Sequence, residues 1–217
     1  MGKRVAEVVG VRLGRTLLEL GGNNGVIVMD DANLDMVVRA VLFGAVGTAG
    51  QRCTTMRRLF VQRGVAQALK DRLIDAYRQL PIGDPTDPRT LVGPLIDDAA
   101  VEHMMAGIEL ARQQGGKLLV GGLRREGRLV EPAILEADIS MPIIKEEIFA
   151  PILYLIEFDT LDQAIGWHNN VPQGLSSAMF TTNVISAETF LSHLGSDCGI
   201  ANINLGTAGN ERVVLIQ

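Results

Sequence analysis

Two hydrophobic periods alternate along the chain. Val26-Ile27-Val28-Met29 is an unbroken apolar run after a Gly21-Gly22 turn and predicts a short buried strand. From about 32 to 46 the apolar residues recur at helical spacing. Asp30-Asp31 stand before them, where carboxylates favour the positive end of a helix. The two-glycine segment GTAGQRCTT, Gly47 to Thr55, breaks that helix. Residues 58–62 then read as a strand and 65–79 as an amphipathic helix. Asp84-Pro85 and Asp87-Pro88 mark 81–88 as turns, and a second amphipathic helix over 97–113 stops at Gly115-Gly116. Further strands are predicted at 117–120, 129–134, 152–158, 176–181 and 199–203, with helices at 161–169 and 186–194. Strands separated by helices imply parallel pairing through crossover helices. The expected fold class is therefore α/β, a three-layer α/β/α arrangement around an open parallel sheet.

Composition changes this picture little. The 217 residues are 47% hydrophobic and 21% charged, enough apolar material for a core without disulfide or metal staples. A net charge of −5 argues against a nucleic-acid surface or an anionic-membrane surface, which need clustered cations. Arg57-Arg58 and Arg124-Arg125 read as ordinary solvated pairs. No apolar stretch has the length of a signal sequence core or a membrane span, so a cytoplasmic protein is expected. The two cysteines, Cys53 and Cys198, are too few for a disulfide framework and fit a reducing compartment. His103, His168 and His193 are isolated, and no zinc spacing occurs, so no metal is expected.

Two residues stand out as candidate chemistry. Cys53 sits in a Gly-rich segment between a helix and a strand, and the preceding Arg52 would favour its thiolate. By itself that pattern reads equally as a structural thiol. Glu19 is the one carboxylate in the apolar run Leu17-Leu18-Glu19-Leu20; burial there would raise its pKa into the range of a general base. A solvent-facing glutamate on a strand edge is the plainer alternative. Cys198, ahead of Gly199-Ile200-Ala201, reads as packing.

The combination is more specific than its parts. LELGGNN (Leu18–Asn24) followed at a distance by GQRC (Gly50–Cys53) resembles the paired signatures of aldehyde dehydrogenases. KEEIFAP (Lys145–Pro151) resembles the family's cofactor-contacting segment, with Ala150 where glycine is more usual. NNVPQGLSSAMFT (Asn169–Thr181) and GSDCGIANIN (Gly195–Asn204) extend the likeness. The forms of these motifs are most similar to the antiquitin branch, the α-aminoadipic semialdehyde dehydrogenases of lysine breakdown.

The resemblance implies roles. Cys53 would be the nucleophile that adds to the aldehyde carbon, forming a thiohemiacetal that loses hydride to NAD and becomes a thioester. Glu19 would activate the water that hydrolyses it. Glu147 would hold the nicotinamide ribose, Phe149 would lie beside the nicotinamide, and Leu20 and Gly21 would approach it through their backbone. Arg52 would meet the distal carboxylate of an acidic aldehyde. NADP stays open, because the residues that meet the adenosine ribose belong to the family's cofactor domain. A small aldehyde is the expected partner, with homo-oligomers in the full-length family.

The chain is expected to hold only part of such an enzyme. Residues 1–22 read as a remnant of the cofactor domain, 23–205 as the catalytic domain, and 206–217 as a tail without a family counterpart, whose Val213–Ile216 run reads as an edge strand. A chain so divided is expected to lack dehydrogenase activity. The alternatives are a residual cysteine-dependent esterase and a non-enzymatic, self-associating fragment.

Overall fold

The computed structural model describes residues 1–208 and the backbone of Val214 and Leu215. Among them the strands are β1 (Asn24–Val28), β2 (Met56–Gln62), β3 (Lys117–Val120), β4 (Ala133–Glu136), β5 (Ile152–Phe158), β6 (Ser176–Phe180), β7 (Ile200–Ile203) and β8 (Val214–Leu215). The α-helices are α1 (Gly2–Val11), α2 (Leu34–Val41), α3 (Arg63–Arg78), α4 (Asp98–Gln113), α5 (Leu161–Asn169) and α6 (Val184–Leu191). The strands make one sheet in the order β3-β4-β5-β2-β1-β6-β7-β8.

Pairing from β4 through β7 is parallel, as helical crossovers require. The two edges depart from the all-parallel expectation: β3 runs antiparallel to β4, and β8 antiparallel to β7. No helix separates β3 from β4. The chain instead turns back through Gly121 and Gly122, both at positive φ (70° and 79°). β8 falls within the predicted edge run; Val213 and Ile216 lie outside the described residues. The inner strands are buried along nearly their whole length, Val26, Ile27, Val28, Leu59, Phe60 and Leu155 among them, as a sheet covered on both faces demands.

Three local expectations are corrected. α2 is capped by Asn33, whose side chain accepts from the Asp35 and Met36 amides, and not by Asp30-Asp31. Asp31 is drawn away to Thr181 and Thr182 beyond β6, and these hydrogen bonds hold its carboxyl below its ordinary range despite some burial. The predicted 32–46 helix stays α-helical only to Val41. It widens into a π-helical turn over Leu42–Val46 and tightens to a 3₁₀ turn over Gly47–Gly50. The strand expected at 129–134 lies instead at β4, because Arg125 and Leu129 close a turn and only Val130 bridges back to Arg124.

This topology places the loops that matter. β5, β2 and β1 are neighbours, all parallel, and their amino ends lie side by side. Three segments far apart in sequence lead into them: Gly21–Asn23 into β1, Arg52–Thr55 into β2, and Glu146–Pro151 into β5.

Candidate active site

The loop before β2 is strained and tightly braced. Thr48 and Ala49 adopt left-handed φ of 56° and 51°, which costs a non-glycine residue about 1–2 kcal/mol each. Gly50 follows at φ 68°, and a Cβ there would lie 2.5 Å from the Ala150 carbonyl carbon and the Pro151 nitrogen. Glycine thus lets the Cys53 loop press against the segment entering β5. The π-helical widening just upstream belongs with this strain, since such turns recur at functional sites.

Cys53 stands exposed at the apex of a closed turn: Arg52 N–H donates to Thr55 Oγ1 (3.0 Å) and Thr55 N–H to the Arg52 carbonyl (3.1 Å). Its own N–H makes no hydrogen bond among the described residues. Its carbonyl is fixed from beneath by buried Asn24. That amide donates to the Cys53 carbonyl (2.7 Å) and the Thr55 carbonyl (2.8 Å), while its oxygen accepts from Ser176 N–H (2.9 Å). One side chain therefore ties β1, the Cys53 loop and β6 together.

Arg52 is engaged within the loop. Its Nε donates to Thr48 Oγ1, and its guanidinium lies 5.1 Å from the centre of the Phe43 ring.

Glu147 and the glycines meet. Glu147 Oε1 accepts from Gly22 N–H at 3.3 Å, and a Cβ on Gly21 would overlap the same carboxylate. Phe149 is 43% exposed beside them, and Leu20 is exposed. Glu19 is not buried. Residues 11–20 are all exposed, α1 buries no side chain, and no strand forms before Asn24.

The largest correction concerns Arg57 and Arg58, which are not solvated but 2% and 1% exposed. Adjacent residues of β2, they project to opposite faces of the sheet. Arg57 reaches the Ile148 carbonyl (2.6 Å), the Arg52 carbonyl (3.2 Å) and Glu147 Oε1 (3.3 Å), with Phe149 5.2 Å below its guanidinium. Burial pulls its pKa down, and the Glu147 charge works against that. Arg58 donates to the Asn23 carbonyl twice (2.6 and 3.0 Å) and to the Trp167 and His168 carbonyls (3.3 and 3.0 Å), closing the negative end of α5. Burial lowers it to about 10, so it remains protonated at neutral pH. A signal for both was present: two arginines inside a run, Met56 to Val61, that is otherwise apolar. Asn24 gave no comparable signal, because its partners are distant in sequence.

Cys198 belongs to a different cluster. It is half-buried, with its sulfur 3.7 Å from His168 Nε2, which also meets Ser196 Oγ (2.9 Å); Ser196 Oγ in turn meets Ser177 Oγ (2.7 Å). Burial pushes the Cys198 thiol up, in keeping with packing.

Chemically, the amino ends of β1, β2 and β5 present an exposed thiol, a free backbone donor beside it, a braced carboxylate with one unengaged oxygen, and an exposed aromatic ring. No helix among the described residues is long and apolar enough to cross a membrane.

The model of the aldehyde dehydrogenase family matches residues 1–216. Aldehyde dehydrogenase family 7 member B4 of Arabidopsis thaliana is 46% identical over 213 residues, covering 97% of this chain and 42% of that protein. The α-aminoadipic semialdehyde dehydrogenase of Mus musculus is 46% identical over 214 residues, 97% of this chain and 40% of its own length. The chain thus spans well under half of these relatives. Among solved structures, an NAD-dependent aldehyde dehydrogenase from Sinorhizobium meliloti superposes with a TM-score of 0.92 at 33% identity, over 96% of this chain and 42% of that one. Betaine aldehyde dehydrogenase from Staphylococcus aureus in complex with NAD+ gives a TM-score of 0.90 at 29% identity, over 94% and 42%.

Proposed function

Because the chain belongs to the aldehyde dehydrogenase family, we propose that it carries the nucleophile and the nicotinamide end of an NAD-dependent aldehyde oxidation site. The observation behind this reading is the convergence of Cys53, Gly21–Gly22 and Glu147 at the amino ends of three adjacent strands.

The Cys53 thiolate adds to the aldehyde carbon; a C–S bond forms and the carbonyl electrons move onto oxygen. The Cys53 N–H, which has no acceptor among the described residues, is placed to donate to that oxyanion. The residues present fit a nicotinamide ribose. Glu147 keeps Oε2 free while Oε1 is tied, Gly21 leaves the carboxylate uncovered, and Phe149 offers an exposed ring. Leu20 and Gly21 would line the same end through their backbone. NAD+, when bound, supplies the hydride acceptor that brings the adduct carbon to the acyl level. Glu19 takes a proton from water as it attacks that acyl carbon, and Cys53 departs as thiolate, leaving a carboxylic acid.

The substrate we assign is α-aminoadipic semialdehyde, in line with the family 7 relatives, with Arg52 facing its distal carboxylate. Residues 1–22 are taken as the edge of a cofactor domain, 23–205 as the catalytic domain. Both thiols are free, which suits a reducing cytoplasm, and homo-oligomers are expected of the whole enzyme. The 217-residue polypeptide by itself should make little NADH. The exposed, braced Cys53 favours a second activity for it, thiol-dependent cleavage of activated esters, which needs no hydride acceptor. Stopped-flow measurement of 4-nitrophenyl acetate cleavage tests the reading: release of one nitrophenolate per chain is expected, absent in Cys53→Ala. Unchanged cleavage in Cys53→Ala would refute it, and NADH production at a full enzyme's rate would refute the expected inactivity.

A further inference from the structure

We propose that Arg57 is a positioning residue: it fixes the Glu147 carboxylate to the loop carrying Cys53, so that the nucleophile and the cofactor-facing carboxylate are held as one unit. The inference rests on the reading of Cys53 and Glu147 given above, and adds a residue whose part in that site the motifs do not indicate.

Among the described residues, Arg57 is the one side chain hydrogen-bonded to both loops. Its Nη2 donates to the carbonyl of Arg52, the residue before the nucleophile, at 3.2 Å, and to Glu147 Oε1 at 3.3 Å. Its Nη1 donates to the Ile148 carbonyl at 2.6 Å, and the guanidinium lies 5.2 Å from the centre of the Phe149 ring. Two loops that enter different strands are thus joined through one planar group. A guanidinium can do this because its donors form a rigid fork; an ammonium offers a single charge point.

The arrangement is not the one that stability alone would choose. Arg57 is 2% exposed, and its Nε has no hydrogen-bond partner among the described residues. A buried donor without an acceptor is unfavourable. Arg58, its neighbour, uses Nε and both terminal nitrogens on carbonyls. Arg57 leaves Nε unused and spends its reach on the two loops. Its partner Glu147 is correspondingly polarised in its contacts: Oε1 is held by Arg57 and the Gly22 N–H, and Oε2, with no hydrogen-bond partner among the described residues, lies beside Gly21.

The Gly22 amide reports the pose of Glu147 directly, so nitrogen–proton NMR of the 217-residue chain decides the matter. Folded Arg57→Met should move the Gly22 resonance in the direction that Glu147→Gln does. It should also weaken binding of nicotinamide mononucleotide about tenfold. Arg57→Lys, which retains the cation without the fork, should fall between and serves if the methionine variant does not fold. A Gly22 resonance that overlays the unsubstituted chain in a folded Arg57 variant, with only a lowered Tm, would overturn the proposal and leave Arg57 a packing residue. The underlying reading fails separately, if Glu147→Gln binds the mononucleotide as well as the unsubstituted chain does.

Discussion

The two cysteines occupy equivalent places in the topology and opposite environments. Cys53 lies three residues before the parallel strand β2, and Cys198 two residues before the parallel strand β7. Cys53 is lifted into solvent by a left-handed loop and anchored from below by Asn24. Cys198 is packed against His168, and a Cβ on Gly174 would sit 2.5 Å from its sulfur. Position at the amino end of a strand is therefore not what distinguishes the two thiols. Left-handed non-glycine backbone just upstream and a buried amide beneath the turn set Cys53 apart, whereas the Cys198 loop is held by the half-buried Asn169.

The sharpest way to break this contrast is to exchange the fates of the thiols. Cys53→Ala should reduce burst cleavage of an activated ester to background, a loss of at least about 100-fold, while Cys198→Ala leaves it within about twofold. The reverse pattern would mean that the wrong region has been assigned.

Lowering the pH probes the Cys198 side. Burial, with the Arg58 charge adding to it, pushes His168 down to about 3, so its ring stays neutral in the folded chain. An unfolded histidine takes up its proton near pH 6.5. Between about 6.5 and 3 the unfolded state thus binds the extra proton, and stability falls as pH drops, by at most about 1.4 kcal/mol per unit. Denaturant melts of the unsubstituted chain and His168→Gln across this window should converge at low pH. Parallel curves would show that His168 does not set the slope.

Asn24→Ala removes the bracket under Cys53. Leaving the Cys53 and Thr55 carbonyls and the Ser176 amide without their partner should cost about 3 kcal/mol, read from chemical denaturation. Folded Asn24→Ala should also lose ester cleavage that the more distant Cys198→Ala keeps. A destabilised but fully active variant would separate the bracket from the nucleophile.

The smallest effect belongs to Glu19. Exposed and outside any strand, it should change stability by less than about 0.5 kcal/mol when replaced by glutamine. Release of the acyl group from Cys53 should slow in the same variant, and equal release rates would remove Glu19 as the base.

Legibility in the sequence followed the range of the interactions. β5 and α5 coincide with their predicted limits, because the apolar run Ile152–Ile156 and a Thr160-capped helix are local signals. β4 was misplaced, since a hydrogen-bonded turn over Arg125–Leu129 delays the strand in a way that hydrophobicity does not register. Cys53, Glu147 and Gly21 were singled out by motif resemblance alone, and the sheet order brings their segments together. Arg57, Arg58 and Asn24 were passed over because each works across ninety or more positions at one end at least, as in the bonds to Ile148, His168 and Ser176. Glu19, read either as a buried base or as a solvent-facing glutamate, is exposed in the described chain.

The most direct test of the account is competitive labelling of the two thiols. The folded 217-residue chain is treated at neutral pH with limiting iodoacetamide, and the sites are read by peptide mass spectrometry. The account predicts modification at Cys53 with Cys198 untouched until the chain is unfolded. Labelling of Cys198 at a rate equal to or above that of Cys53 in the folded chain would contradict it.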